Sequence, residues 1–225
     1  MTNAEFRMTL PRLLSSIPLC GLRAFAARGN RRYTIDDNAL AARRCLSSIV
    51  YCLFPLLTIS CVSPESPVAR QSRAARLAAD LKALSPSVSP KEAHSLATAA
   101  VDRAAQLNRE WGPTINPWAN NFLVNTGLRE QGLCHQWREA LFPALHALHP
   151  RTLDLHLAAA RRATLREHNG IVVTAHGQPF DTGIILDAWR SGGILKWSLV
   201  KTDHYPWKPL PRDLTPVELR PLLMP

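Results

Sequence analysis

The chain has 225 residues, of which 46% are hydrophobic, and this composition suits one soluble domain with additional terminal segments. Its formal net charge of +10 is spread along the sequence without a block of Lys and Arg interleaved with aromatic residues, which argues against a nucleic acid partner. Four of the five cysteines lie at or before Cys61, so an internal disulfide framework or a Cys-based zinc site is excluded beyond it.

A lipoprotein signal peptide is predicted over residues 43–60. Two arginines precede an uncharged apolar run of about 15 residues, as in an n-region followed by an h-region. The run is short for a membrane-spanning helix. It ends in Leu-Thr-Ile-Ser-Cys, which resembles a bacterial lipobox with Thr58 in a place usually held by leucine. We therefore predict lipidation at Cys61, with a buried apolar helix or an uncleaved anchor as alternatives.

The segments on either side of this signal are less informative. Residues 1–42 contain arginines but little hydrophobic periodicity, so we interpret them as an over-extended start or a disordered extension. Residues 61–70 form a Ser/Pro stretch that is typical of a tether after a lipid anchor. The folded domain is then expected over residues 71–225.

Four helices are predicted in the first half of this domain, where apolar residues recur at helical spacing. The second helix has the clearest start, because Ser89, Pro90 and Glu92 suit an N-cap, a first-turn proline and an early acid. Pro and Gly residues separate the helices. The predicted helices cover about residues 75–84, 90–111, 117–126 and 133–148.

Strands are predicted in the second half, where the apolar period changes. Residues 152–157 alternate strictly, and two further β-like runs are joined by turn residues. The proline-rich tail from Tyr205 shows weak helical character at most. The predicted strands are residues 152–157, 168–175, 183–188 and 194–200. The sequence therefore predicts an α+β fold in which N-terminal helices precede an antiparallel β-meander.

Three polar residues stand at the ends of these predicted elements. Cys134 lies at the start of the fourth helix, where unpaired backbone N–H groups favour a thiolate. His168 opens one strand and Asp187 closes the next. A histidine exchanges the proton of such a nucleophile, and a carboxylate fixes its tautomer. We predict a catalytic triad; taken singly, the alternatives are a buried thiol, a strand cap and a turn residue.

This order of residues resembles the papain-like and transglutaminase-like cysteine superfamily, over roughly residues 117–200. The string Gly-Leu-Cys134 with Trp137 is similar to, but not the same as, the motifs around the nucleophile in that superfamily. The resemblance implies Cys134 as nucleophile, His168 as general base and acid, and Asp187 as the orienting carboxylate. The domain also resembles a group of uncharacterised proteobacterial lipoproteins with a similar Gly-Leu-Cys, Glu-His-Asn and Leu-Asp-x-Trp-Arg layout.

Acyl chemistry also needs a donor for the oxyanion. The backbone N–H of Cys134 is one candidate. Papain-like enzymes supply a glutamine from the upstream side, where Gln131 ranks ahead of Asn125, whereas Gln136 is expected to point away on the helix. Arg190 is interpreted as a surface residue, with binding of a substrate carboxylate as the alternative.

The combined interpretation is a lipid-anchored periplasmic enzyme of the bacterial cell envelope that performs thiol acyl transfer as a peptidase, amidase or transglutaminase. A peptide, protein or peptidoglycan substrate is expected. No metal or organic cofactor is implied, although the spacing of His146 and His149 would suit a metal. Two alternatives remain: a non-catalytic envelope lipoprotein that binds a protein or cell-wall partner, and a cytosolic protein in which residues 45–61 form a core helix.

Overall fold

The computed structural model describes residues 65–113 and 116–223, in which four α-helices precede a five-stranded antiparallel sheet. The helices are α1 (Pro67–Ala83), α2 (Pro90–Trp111), α3 (Pro117–Asn125) and α4 (Cys134–His146). The strands are β1 (Leu153–Ala160), β2 (His168–Ala175), β3 (Ile184–Asp187), β4 (Lys196–Leu199) and β5 (Trp207–Pro209). The predicted α+β class, with helices before strands, is confirmed.

The predicted extension (1–42), signal peptide (43–60) and Cys61 lie outside the described residues. Within the described part of the chain, no helix is both long enough and apolar enough to cross a membrane. Helix α1 begins at Pro67, so the last residues of the predicted tether (61–70) are helical. The Ser66 side chain caps this helix by accepting a hydrogen bond from the Ala69 N–H at 3.2 Å.

Helices α1 and α2 form an antiparallel hairpin whose ends are set by local sequence. Ser89 is the N-cap of α2 as predicted, and the helix ends at Gly112, which adopts the left-handed conformation with φ 53°. The Glu92 carboxylate in the first turn accepts hydrogen bonds from the Thr152 N–H and hydroxyl at 2.8 and 2.7 Å. This contact ties the start of α2 to the residue before β1.

The sheet has the strand order β4-β3-β2-β1-β5, and all its pairs are antiparallel. Four strands form the predicted meander. One face, which includes Ile171 and Leu186, belongs to the main core with the helices. The other face carries a smaller cluster around Val172 and Ile185. Because side chains alternate along a strand, β2 contributes to both clusters.

The fifth strand was not predicted. The proline-rich tail, for which weak helical character at most was predicted, instead places Trp207 opposite Ala160, so β5 extends the sheet beyond β1. Short 3-10 turns follow it. The pairing brings the Trp207 ring into the smaller cluster, close to the first residue of β2.

Candidate active site

The start of helix α4 is built around Gly132, which has φ 135°. Its carbonyl accepts hydrogen bonds from the Asn120 amide at 2.8 Å and from the Trp137 indole N–H at 3.2 Å. The Gln136 side chain folds back and accepts from the N–H groups of Gly132 and Leu133 at 2.8 and 2.9 Å. Gln136 thereby satisfies the backbone donors that precede the helix.

Cys134 is the first residue of α4, as predicted. Leu133 at the N-cap has no side-chain acceptor, so no side chain caps the first turn. The thiol lies against the start of β2: Asn169 donates from Nδ2 to Sγ at 3.6 Å, and Sγ is 3.8 Å from the Glu167 carbonyl oxygen. With 9% of its surface exposed, Cys134 sits at the boundary between core and solvent.

His168 and Asp187 are joined directly. Nε2 of His168 lies 2.5 Å from Oδ2 of Asp187, and their side chains are only 1% and 2% exposed. The two residues occupy ends of the adjacent strands β2 and β3, on the face opposite the helices. The structure therefore brings together the two residues that the sequence predicted as the base and its orienting carboxylate.

The other ring nitrogen of His168 is the one left for the thiol. Nδ1 is buried and has no hydrogen-bond partner in the part of the chain that the structure describes. Burial lowers the pKa of His168, but the Asp187 hydrogen bond and then the interaction with the Cys134 thiol raise it to about 9. Sγ of Cys134 and Nδ1 of His168 are not joined by a hydrogen bond; the thiol contacts the residues on either side of His168, Glu167 and Asn169.

Three aromatic rings surround the imidazole of His168. The ring centroids of Trp189 and Tyr205 lie 4.6 Å from it, and that of Trp207 lies 5.1 Å away. The Trp189 indole N–H donates to the Asn121 side chain at 3.0 Å, which fixes one wall of this enclosure. The aromatic residues therefore hold the ring in place and keep water from its faces.

Arg190 completes the support of Asp187 and is not a surface residue. Its backbone N–H donates to Oδ1 of Asp187 at 3.1 Å, and its Nε forms an ion pair with Oδ2 at 2.6 Å. Its Nη2 reaches the buried carboxylate of Asp203 at 2.8 Å. Asp203 also accepts from the Ser198 hydroxyl at 2.7 Å and the Tyr205 N–H at 2.9 Å. Both carboxylates thereby share one cation.

The residues beside the thiol differ from those ranked from sequence. Gln131 and Asn125 are exposed, and neither contacts Sγ. Instead Asn169 is the amide that touches the sulfur, and its Oδ1 accepts from the buried Arg138 at 2.5 Å. The position of Asn169 directly after His168 was the available signal, since it places the amide on the helix side of β2.

Comparisons of the chain with protein-family models, with curated proteins and with solved structures found no match. Among the described residues, no group of three or more His, Cys, Asp or Glu side chains is arranged to hold a metal ion.

Proposed function

We propose that this protein is a thiol acyl-transfer enzyme that acts on an amide bond through Cys134, His168 and Asp187, on a transglutaminase-like/papain-like core. The proposal depends above all on the state of His168. One ring nitrogen binds a buried carboxylate and the other is buried without a partner, while the only thiol of the described residues contacts Glu167 and Asn169, the neighbours of His168 in the chain. A structural histidine normally satisfies both nitrogens, so an orphaned one requires an explanation.

The chemistry follows from this arrangement. The Cys134 thiolate attacks the amide carbonyl carbon, and the C=O electrons move to oxygen. Collapse of the tetrahedral adduct breaks the C–N bond, and the amine leaves with the proton carried by Nδ1 of His168. Water or an amine then attacks the thioester carbonyl carbon and gives its proton to His168. The second tetrahedral adduct breaks its C–S bond, which releases an acid or a new amide and regenerates the thiolate. Asp187 holds the imidazolium throughout.

The oxyanion formed in these steps has two candidate donors. The backbone N–H of Cys134 belongs to an uncapped helix N-terminus, where the dipole favours negative charge. The Asn169 amide is the second, because Nδ2 already lies 3.6 Å from Sγ. We propose Asn169 in the role that the sequence had assigned to Gln131.

We place this activity in the cell envelope, on a lipid anchor at Cys61, with a peptide, protein or peptidoglycan as substrate. The support for that location is the Arg-Arg, apolar run and lipobox-like ending at residues 43–61.

The test is the reactivity of Cys134 towards iodoacetamide, followed by peptide mapping in the folded full-length protein. At pH 6 the thiol should be alkylated faster than a model thiol, because a neighbouring imidazolium stabilises the thiolate. His168→Ala should remove the advantage. His156→Ala is a matched control, since His156 is also a strand histidine but bonds Thr174 instead. Labelling of Cys134 only after denaturation would contradict the proposed enzymatic function.

The second candidate function is a non-catalytic binding protein with the same fold. The observation in its favour is the missing hydrogen bond between Sγ of Cys134 and Nδ1 of His168, together with the low exposure of the thiol. Unliganded active sites often show such long contacts, which shorten when substrate binds. Slow labelling of Cys134 that is insensitive to His168→Ala would favour the binding protein.

A further inference from the structure

The loop between β1 and β2, residues 161–167, separates two open cavities. One cavity of about 420 Å³ is lined by Glu167 and Asn169, and the other, of about 410 Å³, is lined by Arg161 and Lys208. Arg162 lines both cavities. We refer to the two cavities and the loop together as the loop cleft.

The cavity of about 410 Å³ carries positive charge without an acidic partner. Within the described chain, Arg161, Arg162 and Lys208 form no ion pair, and no carboxylate lines the cavity of about 410 Å³. Arg161 instead lies over the Tyr205 ring, with its guanidinium carbon 5.3 Å from the centroid. Cationic groups that converge on a concave surface without acidic partners are typical of an anion-binding site.

The other cavity is of mixed charge. Its two carboxylates are already engaged: Glu139 pairs with Arg138 at 2.9 Å, and Glu167 accepts from the Ala163 N–H at 2.8 Å and the Asn169 amide at 3.3 Å. Glu167 keeps its negative charge because both of its donors are neutral, but the four basic residues that line the two cavities outnumber the two acidic ones.

The loop cleft adjoins the proposed catalytic residues on both sides. Glu167 and Asn169, which line one cavity, both contact Sγ of Cys134. On the other side, Arg161 lies over the same Tyr205 ring that flanks the imidazole of His168. An anionic group held in the cleft would thus lie near the bond that the thiol attacks.

The backbone of the loop supports a functional role. Arg161 and Ala163 have φ of 50° and 60°, in the left-handed region that non-glycine residues seldom adopt. Such strain persists only where the surrounding structure enforces it, and it is common in segments that bind ligands. Here it holds consecutive arginines over the two cavities.

We propose that the loop cleft binds a carboxylate of the substrate, so that the enzyme prefers acidic peptides with a Glu or Asp side chain or a free terminus near the scissile amide. The preference for acidic substrates depends on the proposed enzymatic function, whereas binding of a carboxylate in the loop cleft does not. Guanidinium groups suit a carboxylate because their N–H donors match its two oxygens.

The first experiment compares alkylation of Cys134 in the full-length protein by iodoacetate, which is anionic, and by iodoacetamide, which is neutral. The ratio of the two rates corrects for intrinsic thiol reactivity. It should exceed that of N-acetylcysteine amide at low salt and fall about 3- to 10-fold in the triple variant Arg161→Gln, Arg162→Gln, Lys208→Gln. A matched control, Arg76→Gln with Lys82→Gln and Lys91→Gln, removes equal charge elsewhere and should leave the ratio unchanged.

The second experiment measures binding without the reactive thiol. Full-length protein with Cys134→Ser is titrated with acetyl-Ala-Glu-Ala amide and with the Gln analogue, and binding is followed by NMR. The Glu peptide should bind several-fold tighter, with a preference that shrinks as salt rises and disappears in the triple variant. Equal affinity for both peptides, or an unchanged preference in that variant, overturns the inference. If Cys134 is still labelled rapidly by iodoacetamide in that event, the proposed enzymatic function is retained without the carboxylate site. If labelling is slow but the preference for the Glu peptide is retained, only the proposed enzymatic function is rejected.

Discussion

Replacing Asp187 with asparagine tests the electrostatic core of the site. Asn has nearly the same volume but no charge, so the change removes the anion that binds Nε2 of His168 and pairs with Arg190. His168 is then left without its buried anionic partner, whereas Arg190 keeps its ion pair with Asp203. Removal of one member of a buried ion pair typically lowers the free energy of unfolding by about 3–5 kcal/mol.

The pH dependence of the free energy of unfolding tests the His168–Asp187 pair more specifically than the total loss of stability does. Burial lowers the pKa of His168, but Asp187 and Cys134 raise it to about 9. A shift from about 6.5 to about 9 corresponds to about 3 kcal/mol of stability. Because the raised pKa means that the folded state holds the proton more tightly, this contribution is complete below pH 6.5 and is lost as the pH rises through 9. In Asp187→Asn the pKa of His168 should fall well below 9.

The assay is urea denaturation of both proteins between pH 5.5 and 9.5. Over the window from pH 6.5 to 9, the wild type should lose about 3 kcal/mol more stability than the Asp187→Asn variant. Asp154→Asn is the matched control: it breaks the solvent-exposed His176–Asp154 pair and should change the slope much less, since solvent screens that pair. Identical slopes for the wild type and Asp187→Asn would refute the role assigned to the pair.

Three further changes test other parts of the site. In Gly132→Ala the added Cβ would lie 2.0 Å from the Asn120 amide nitrogen, at a residue with φ 135°. The free energy of unfolding should fall by about 1–3 kcal/mol, and with it the melting temperature and the labelling rate of Cys134. An unchanged melting temperature would show that the turn adapts. Asp203→Asn removes the second carboxylate that binds Arg190, so alkylation of the Cys134 thiol should be slower. An unchanged alkylation rate would show that Asp203 contributes only to the stability of the fold. Cys61→Ala should release the protein from the membrane fraction, and unchanged fractionation and size would refute the lipid anchor.

The regular part of the fold could be predicted because local signals mark its boundaries. Ser89 and Pro90 begin α2 where the capping pattern indicated, and β2 has the predicted bounds, 168–175. Strand β5 was missed for a physical reason. It has three residues, ends in Pro209 and shows no alternation, so its conformation depends on pairing with β1 rather than on its own sequence.

Each of the three residues predicted for catalysis stands at the end of a regular element; His168 and Asp187 are hydrogen-bonded, and Cys134 contacts Asn169, the residue after His168. Their supporting residues could not be predicted, because contacts between distant segments define them. Asp203 acts through Arg190, and Asn169 becomes relevant only once α4 is placed against β2. Gln131 was chosen because it is a glutamine on the upstream side of the nucleophile, yet it lies in an exposed loop and does not contact Sγ.

Strand β5 has a consequence for the local stability of the domain. It is a three-residue edge strand that pairs with β1 alone, so its backbone amides should exchange with deuterium before those of β2 and β3. Trp207 leaves the imidazole of His168 whenever β5 detaches, because the ring belongs to that strand. Such a partial opening would expose one face of the His168 ring to water while strands β1 to β4 stay folded. Access of water to the His168 ring would then follow a sub-global equilibrium rather than global unfolding.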